Sequence, residues 1–599
     1  VLFGQSRRLL EFLKVSSRSF PQGEFMNRNR IHAFWRVVFV AVIAAIAALA
    51  SPAIAQTAKV ATAAKPPAAT ASGFDATPCL GCHAPVKALY DSGKHKGVGC
   101  NACHDGTSAH LADASKRPTT KTDLANCGGC HQNQYKSYAQ MDWHRTARFE
   151  KKQMTGPAPD PAYDLLMTPH GFTREHNLPR GHTFALLDQF VVDRAFGGRF
   201  GTKETWRYLA GTGDFKVWDV ALDQYPENTD HKVFKPGTAA AANPVCLSCK
   251  TQDHILEWAY MGDPAPNAKW SRTSKVVELA KATNHSLNCI FCHDPHAAKP
   301  RIVRDALIEA VTRTDSPTLY SQDARKTKVD VKDMGLRGYT RKIGLLERYD
   351  GKLQCGQCHV EYNCNPGFNP TTGEAITMAD KRTNYFPFVD VNNILKAYDG
   401  IQFRDFRNQF TGAALWKAQH PDVETYYNST HEKAGVDCAQ CHMPKVKDAK
   451  TGKLYTSHWQ TNPKNYLKET CLQCHHQWDE KQARYVIESM ASHYQGKVRN
   501  AEFWLAQLIG KFGQAQLVAV PEDALKAARL KHGDAHANWE WWTAANGASF
   551  HNLDQAKESL ARSVTASQEG IKILDDAIKA KQASAPLAAA PAAAPAAPK

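Results

Sequence analysis

Beyond about position 480 the apolar residues settle into a helical rhythm. Leu553, Leu560, Val564, Ile571, Leu574 and Ile578 recur at steps built of threes and fours, the spacing that lines one face of a helix. Long packed helices are therefore expected over 481–583, with this stripe turned to a core. Upstream no such period is sustained and strand-like alternation is scarce, so short helices joined by long loops are expected. The fold class read from the pattern is mainly α. At the other end, a basic stretch from Met26 leads into an apolar run, Val37 to Ala50, and then Ser51, Pro52, Ala53, Ile54 and Ala55. That layout reads as a secretory signal over 26–55, cleaved after Ala55. The run is short of the roughly 20 residues that span a bilayer. Residues 1–25 read as an over-long start. The Ala/Pro-rich stretch 584–599 cannot build a core and reads as a disordered tail.

Composition changes the picture through cysteine. The chain has 599 residues, 43% of them hydrophobic, and 17 cysteines, whose spacing decides between disulfides, metal sites and covalent cofactors. Seven times the spacing is Cys-x-x-Cys-His. The sites are Cys79, Cys82 and His83; Cys100, Cys103 and His104; Cys127, Cys130 and His131; Cys289, Cys292 and His293; Cys355, Cys358 and His359; Cys438, Cys441 and His442; and Cys471, Cys474 and His475. In this motif two thiols form thioethers with the vinyl groups of a haem and the histidine becomes its proximal iron ligand. Zinc would not need seven trailing histidines. The eighth site, Cys246, Cys249 and Lys250, has lysine where the others have histidine. A lysine amine keeps its proton to about pH 10.4 in water, so ligation requires burial and the metal's own charge. One haem of eight is therefore treated differently, and only Cys364 is left over.

Haems that only pass electrons need a second axial ligand. The distal candidates are His95, His110, His144, His182, His431, His458 and His551, with His170, His176, His285 and His296 in reserve. Distal ligands commonly serve a neighbouring haem, so none is assigned to a motif. The formal charge of +16 invites a nucleic-acid reading. Eight haems, with about two propionates each, offset most of it, so the cations read as propionate partners and nucleic acid is excluded. Thioether attachment and the signal together place the chain in the periplasm. Three regions follow: a three-haem region over 56–178, a catalytic five-haem region over 179–480, and the long helices.

The Lys250 motif and a series of local matches in the same order resemble the ammonia-forming cytochrome c nitrite reductases. The series comprises Pro179-Arg180-Gly181-His182, Arg194, Lys250, Cys358-His359-Val360-Glu361-Tyr362, Lys417-Ala418-Gln419-His420-Pro421, Cys441-His442-Met443-Pro444 and Ser549-Phe550-His551-Asn552. Three extra N-terminal motifs make the octahaem form, within the hydroxylamine oxidoreductase-like superfamily, the nearer resemblance. It covers roughly residues 75–580.

The resemblance implies a site of Lys250, Arg194, Tyr362 and His420 that reduces nitrite, with electrons from a periplasmic or membrane-bound donor. It also implies a thioether between the Tyr362 ring and Cys364, whose i, i+2 spacing suits one side of an extended segment. A calcium ion would be held by the Glu361 side chain, the Tyr362 and Lys417 carbonyls and the Gln419 side chain, all hard oxygen donors. Assembly as a trimer or hexamer is implied too. The competing classes are reduction of sulfur oxyanions such as sulfite or tetrathionate, hydroxylamine oxidation, against which Lys250 argues, and a non-catalytic electron wire.

Overall fold

In the computed structural model of the chain the described residues are 74–140, 166–167, 182, 243–275, 278–279, 282–335 and 337–584. The expected signal, Arg194, His144, His170, His176 and all but the first residue of the Ala/Pro tail lie outside them.

The cysteine motifs occupy single helical turns. The backbone N–H of His83, His131, His293, His359 and His475 each bonds the carbonyl of the first cysteine of its motif, at 2.9–3.0 Å. One turn brings residues i, i+3 and i+4 to one side, so two sulfurs and an imidazole face the same way. Asn or Asp starts several of these turns, because a short polar side chain satisfies the free N–H groups of a helix start. Asn243, Asn288 and Asp437 all do so, and Asp350 caps the Gly351–Gln354 turn that leads into the Cys355 motif. The lysine turn closes more tightly, with Lys250 N–H bonded to the Leu247 carbonyl at 2.8 Å.

Between the motifs lies a three-stranded antiparallel sheet that the sequence pattern did not announce. Its strands are β1 (Arg301–Ile302), β2 (Val329–Asp333) and β3 (Lys342–Leu346), with β3 central. Gly344 pairs with Ile302 and Val331. A Cβ there would come within 2.7 Å of both Ile302 and Val329 side chains, so the close approach requires glycine. The chain leaves β1 into helix α1 (Asp305–Thr312) and later enters α2 (Asp422–Tyr426).

Three long helices follow: α3 (Glu480–Leu517), α4 (Glu522–Ala544) and α5 (Leu553–Ala583), with α5 packed on both others. Leu560 and Leu574 from the expected stripe are fully buried, while Val564, Ile571 and Ile578 are partly so. Trp539, Trp541 and Trp542 of α4 join Trp416 in the same core. Among the described residues, no helix is long and apolar enough to cross a membrane.

One ion pair ties the N-terminal motifs to the segment after Lys250. His285 lies 2.9 Å from both Asp253 and Asp123. Burial alone would lower its pKa, but hydrogen bonds and charge from Asp253 and then Asp123 outweigh it and raise the pKa to about 9. A histidine with a raised folded pKa stabilises fully below its ordinary value near 6.5 and loses that contribution as pH climbs through about 9. His285→Gln is therefore expected to cost about 1 kcal/mol at pH 6, the upper end for partly solvated pairs. Thermal melts of the two proteins should converge near pH 10, and an undiminished difference there would refute this account.

Candidate functional site

The motif turns surround one connected cavity of about 3820 Å³, lined by residues of all eight sites. Pockets for single small ligands hold about 300–1,000 Å³, so this interior is shaped for several large groups. Among the described residues six pairs of imidazoles face one another across it. Ring centroids are separated by 6.1 Å for His83 and His110, 6.2 Å for His95 and His131, and 5.9 Å for His182 and His359. The remaining pairs are His293 with His458 at 6.3 Å, and His431 with His475 and His442 with His551, both at 6.4 Å. Two imidazoles sharing one metal, with metal–nitrogen bonds of about 2 Å on either side, should stand roughly 6.3 Å apart.

The hydrogen bonds agree with that spacing. Nδ1 of His95, His110, His442 and His458 faces the backbone carbonyls of Pro295, Lys116, Thr461 and Thr456, at 2.7–3.1 Å. His359 Nδ1 meets the Asp422 carboxylate at 2.9 Å, and His182 Nδ1 meets Gln460 Oε1 at 3.1 Å. An Nδ1–H engaged in this way fixes the tautomer and leaves the Nε2 lone pair for a metal. Burial lowers the pKa of His182, His293 and His551 to about 4 each, which keeps them in the neutral, ligating form. These residues fit haem c in bis-histidine sites.

Six of the distal candidates each face a proximal histidine. His104 has a different neighbour: His296 lies within its electrostatic reach and lines the same cavity. Sequence reasoning had held His296 in reserve behind His144.

The Cys246–Lys250 turn has other company. Tyr362 and His420 stand with ring centroids 6.4 Å apart, and Cys364 Sγ is 3.5 Å from Cys246 Sγ. Tyr362 and Cys364 are both buried. Burial, then the neighbouring sulfurs, push the Tyr362 phenol well above its usual range. The Tyr362 and His420 segments are laced together. Glu361 is completely buried; its carboxylate accepts the Tyr398 hydroxyl at 2.8 Å and the Gln419 N–H at 2.7 Å. Lys417 Nζ donates to Gln419 Oε1 at 3.1 Å. Burial raises Glu361 to about 8. Among the described residues no group of three or more His, Cys, Asp or Glu side chains forms a metal site. The oxygen set expected around Glu361 differs in kind, since two of its four donors are backbone carbonyls. A buried carboxylate and an amide oxygen are donors that suit a hard cation, and here the amide oxygen accepts from Lys417 Nζ.

Sequence reasoning missed Arg304, a buried guanidinium beside Cys249. No motif spacing marks it, and its surroundings arise only when β1 and the Cys355–His359 turn meet.

Comparison with known proteins follows the same lines. The family described as Cytochrome c552 matches residues 221–597. Cytochrome c-552 of Haemophilus influenzae is 26% identical over 436 residues, covering 70% of this chain and 67% of its own length. The solved cytochrome c nitrite reductase from Desulfovibrio desulfuricans, described with two calcium sites in its catalytic subunit, covers 77% of this chain and 87% of that one. It aligns with a TM-score of 0.51 at 19% identity, a likeness of fold.

Proposed function

The chain belongs to the cytochrome c552 family, and on that premise we propose that it is a periplasmic octahaem enzyme reducing nitrite to ammonium. The observation that carries this reading is the pairing of the Tyr362 and His420 rings, with Tyr362 in electrostatic reach of Cys246 and Cys249, where six of the histidine turns have a facing imidazole instead.

The proposed reaction consumes one nitrite, six electrons and eight protons and yields one ammonium and two waters. Haem c would supply one-electron steps and a binding place for a small anion. The residues supply charge and protons. Lys250 would hold the iron of the catalytic haem. Arg194 offers a permanent cation to nitrite, and His420 becomes a cation readily beside an anion. Donors fixed in advance where charge develops contribute most to rate. Tyr362, buried beside His420, holds a hydroxyl proton for transfer. Calcium at Glu361, Tyr362, Lys417 and Gln419 would clamp the two segments and add positive charge along the anion's path.

The bis-histidine sites act as the electron store and route, fed by a periplasmic or membrane-bound donor. His104 is completed by His144 or His296. Subunits assemble as a trimer or hexamer through the long helices.

The leftover cysteine enters the same reading. Tyr362 and Cys364 carry a thioether, and a peptide containing both should be two hydrogens lighter than its sequence mass and resist alkylation. A freely alkylated Cys364 would exclude the bond.

The test of the whole reading gives viologen-reduced protein nitrite without oxygen, counting electrons and ammonium. Six electrons and one ammonium per nitrite are expected. No turnover would move the assignment to a sulfur oxyanion or to electron transfer alone.

A further inference from the structure

Arg304 sits where stability alone would not put it. Its side chain is 2% exposed, and among the described residues no nitrogen or oxygen acceptor meets its Nε or Nη2. It occupies the position that opens α1, where the helix dipole disfavours a cation. Its one ion pair among the described residues, Nη1 to Asp305 Oδ1, is long at 3.3 Å. That carboxylate is already shared with the Ala306 N–H at 2.8 Å, Trp258 Nε1 at 2.9 Å and Asn384 Nδ2 at 3.2 Å. A buried cation so thinly paired is expensive.

Its neighbours give the placement a meaning. The guanidinium interacts with Cys249 and lies within charge range of Cys358 and Tyr362. Cys249 and Cys358 belong to two different motifs that touch: Cys249 Sγ is 3.7 Å from the Gln357 carbonyl, and Cys358 Sγ is 3.8 Å from the Cys249 carbonyl. In the haem-loaded protein both sulfurs are thioethers, so they mark the near edges of two haems. The guanidinium carbon also stands 5.3 Å from the Phe386 ring centroid, and Phe386 is 5.5 Å from Tyr362. Gln357 Oε1 holds the backbone from below, accepting Val303 N–H at 2.7 Å and Arg304 N–H at 3.3 Å.

We propose that Arg304 is a positioning residue for electrons: a fixed cation at the Cys249 edge that raises the reduction potential of the Lys250 haem above that of the His359 haem feeding it. This inference rests on the reading of Lys250 as the ligand of the reactive haem. A nearby cation favours the form of the haem carrying one more electron, and the effect is strongest at the sulfur it engages. Asp305 opposes it from the far side, so the two residues act as an oriented pair.

That opposition supplies a test by sign. Spectroelectrochemical titration of the haem-loaded full chain, with haem content measured alongside, should follow the high-spin haem. Arg304→Gln should lower its potential by at least a tenfold change in the one-electron equilibrium, about 59 mV. Asp305→Asn should raise it, and Arg304→Lys should restore most of the unmodified value. Shifts of the same sign in Arg304→Gln and Asp305→Asn, or no shift in either at normal haem content and spin state, would overturn the inference. If Arg304→Gln fails to take up haem, Asp305→Asn decides: an unraised potential there overturns it. A parent protein with no high-spin haem would overturn the proposed function first, a different result from unchanged potentials in a protein that turns over nitrite.

Discussion

Replacing His420 with glutamine is expected to lower the rate of nitrite reduction about 100- to 1,000-fold, the effect of removing one preorganised donor from a developing charge. Haem content and the low-spin spectra should not change. The imidazole lies at the entry to α2, where the Asp422 N–H meets the His420 carbonyl at 2.6 Å. Asp422 is itself fixed by His359 and by Asn546, so the backbone that carries residue 420 does not depend on its side chain. Glutamine keeps a donor but cannot become a cation, so the loss should fall on turnover at saturating nitrite more than on the apparent affinity. Rates within threefold of the parent, measured as ammonium formed, would remove His420 from the proposed site.

Glu361→Ala should be nearly as damaging, through two effects. The Tyr398 hydroxyl and the Gln419 N–H would both lose their acceptor inside the protein, at about 1–3 kcal/mol for each stranded group. The proposed calcium would lose its one carboxylate, and activity should fall on the order of 100-fold as the Tyr362 and His420 segments separate. Glu361→Gln retains an acceptor and should be milder in stability yet equally poor in calcium.

The sign of the pH dependence is fixed by the raised pKa. A carboxyl pushed up to about 8 in the folded chain binds more protons folded than unfolded, so its penalty grows as pH rises from near 4.3 toward 8. Chelated protein should therefore lose thermal stability across that window, whereas protein with calcium restored should not. Melts that run parallel from pH 5 to 8 with and without chelator would exclude a cation at Glu361.

Much of the site was legible because covalent haem attachment demands a fixed local spacing. The eight turns, the exceptional Lys250 and the unpaired Cys364 can be read directly along the chain. The facing of imidazoles could not be, since His293 and His458, or His182 and His359, meet only through tertiary packing. For the same reason His296 had no local sign that it would approach His104. The helical stripe announced α5, but nothing in its period foretold that α4 would bury His532, His536 and Glu540 on one side, with His536 Nε2 2.8 Å from Glu540. The sheet escaped because β1 has only two residues and β2 is mostly polar, so neither alternates long enough to register. Arg304 escaped because nothing about an arginine in sequence tells whether its charge will be solvated.

The paired imidazoles have a consequence for the chain as a polymer. His293 with His458, His182 with His359, and His442 with His551 join points far apart in sequence. With iron between them, each pair is a cross-link closing a long loop, and closing a loop of about 100 residues restricts the unfolded chain by roughly 5 kcal/mol in the entropic description of such links. Unlike a disulfide, each link opens when its imidazole takes up a proton. Acid would then convert a network with several junctions into a linear chain bearing pendant haems, and the steepness of acid unfolding should report how many junctions open together.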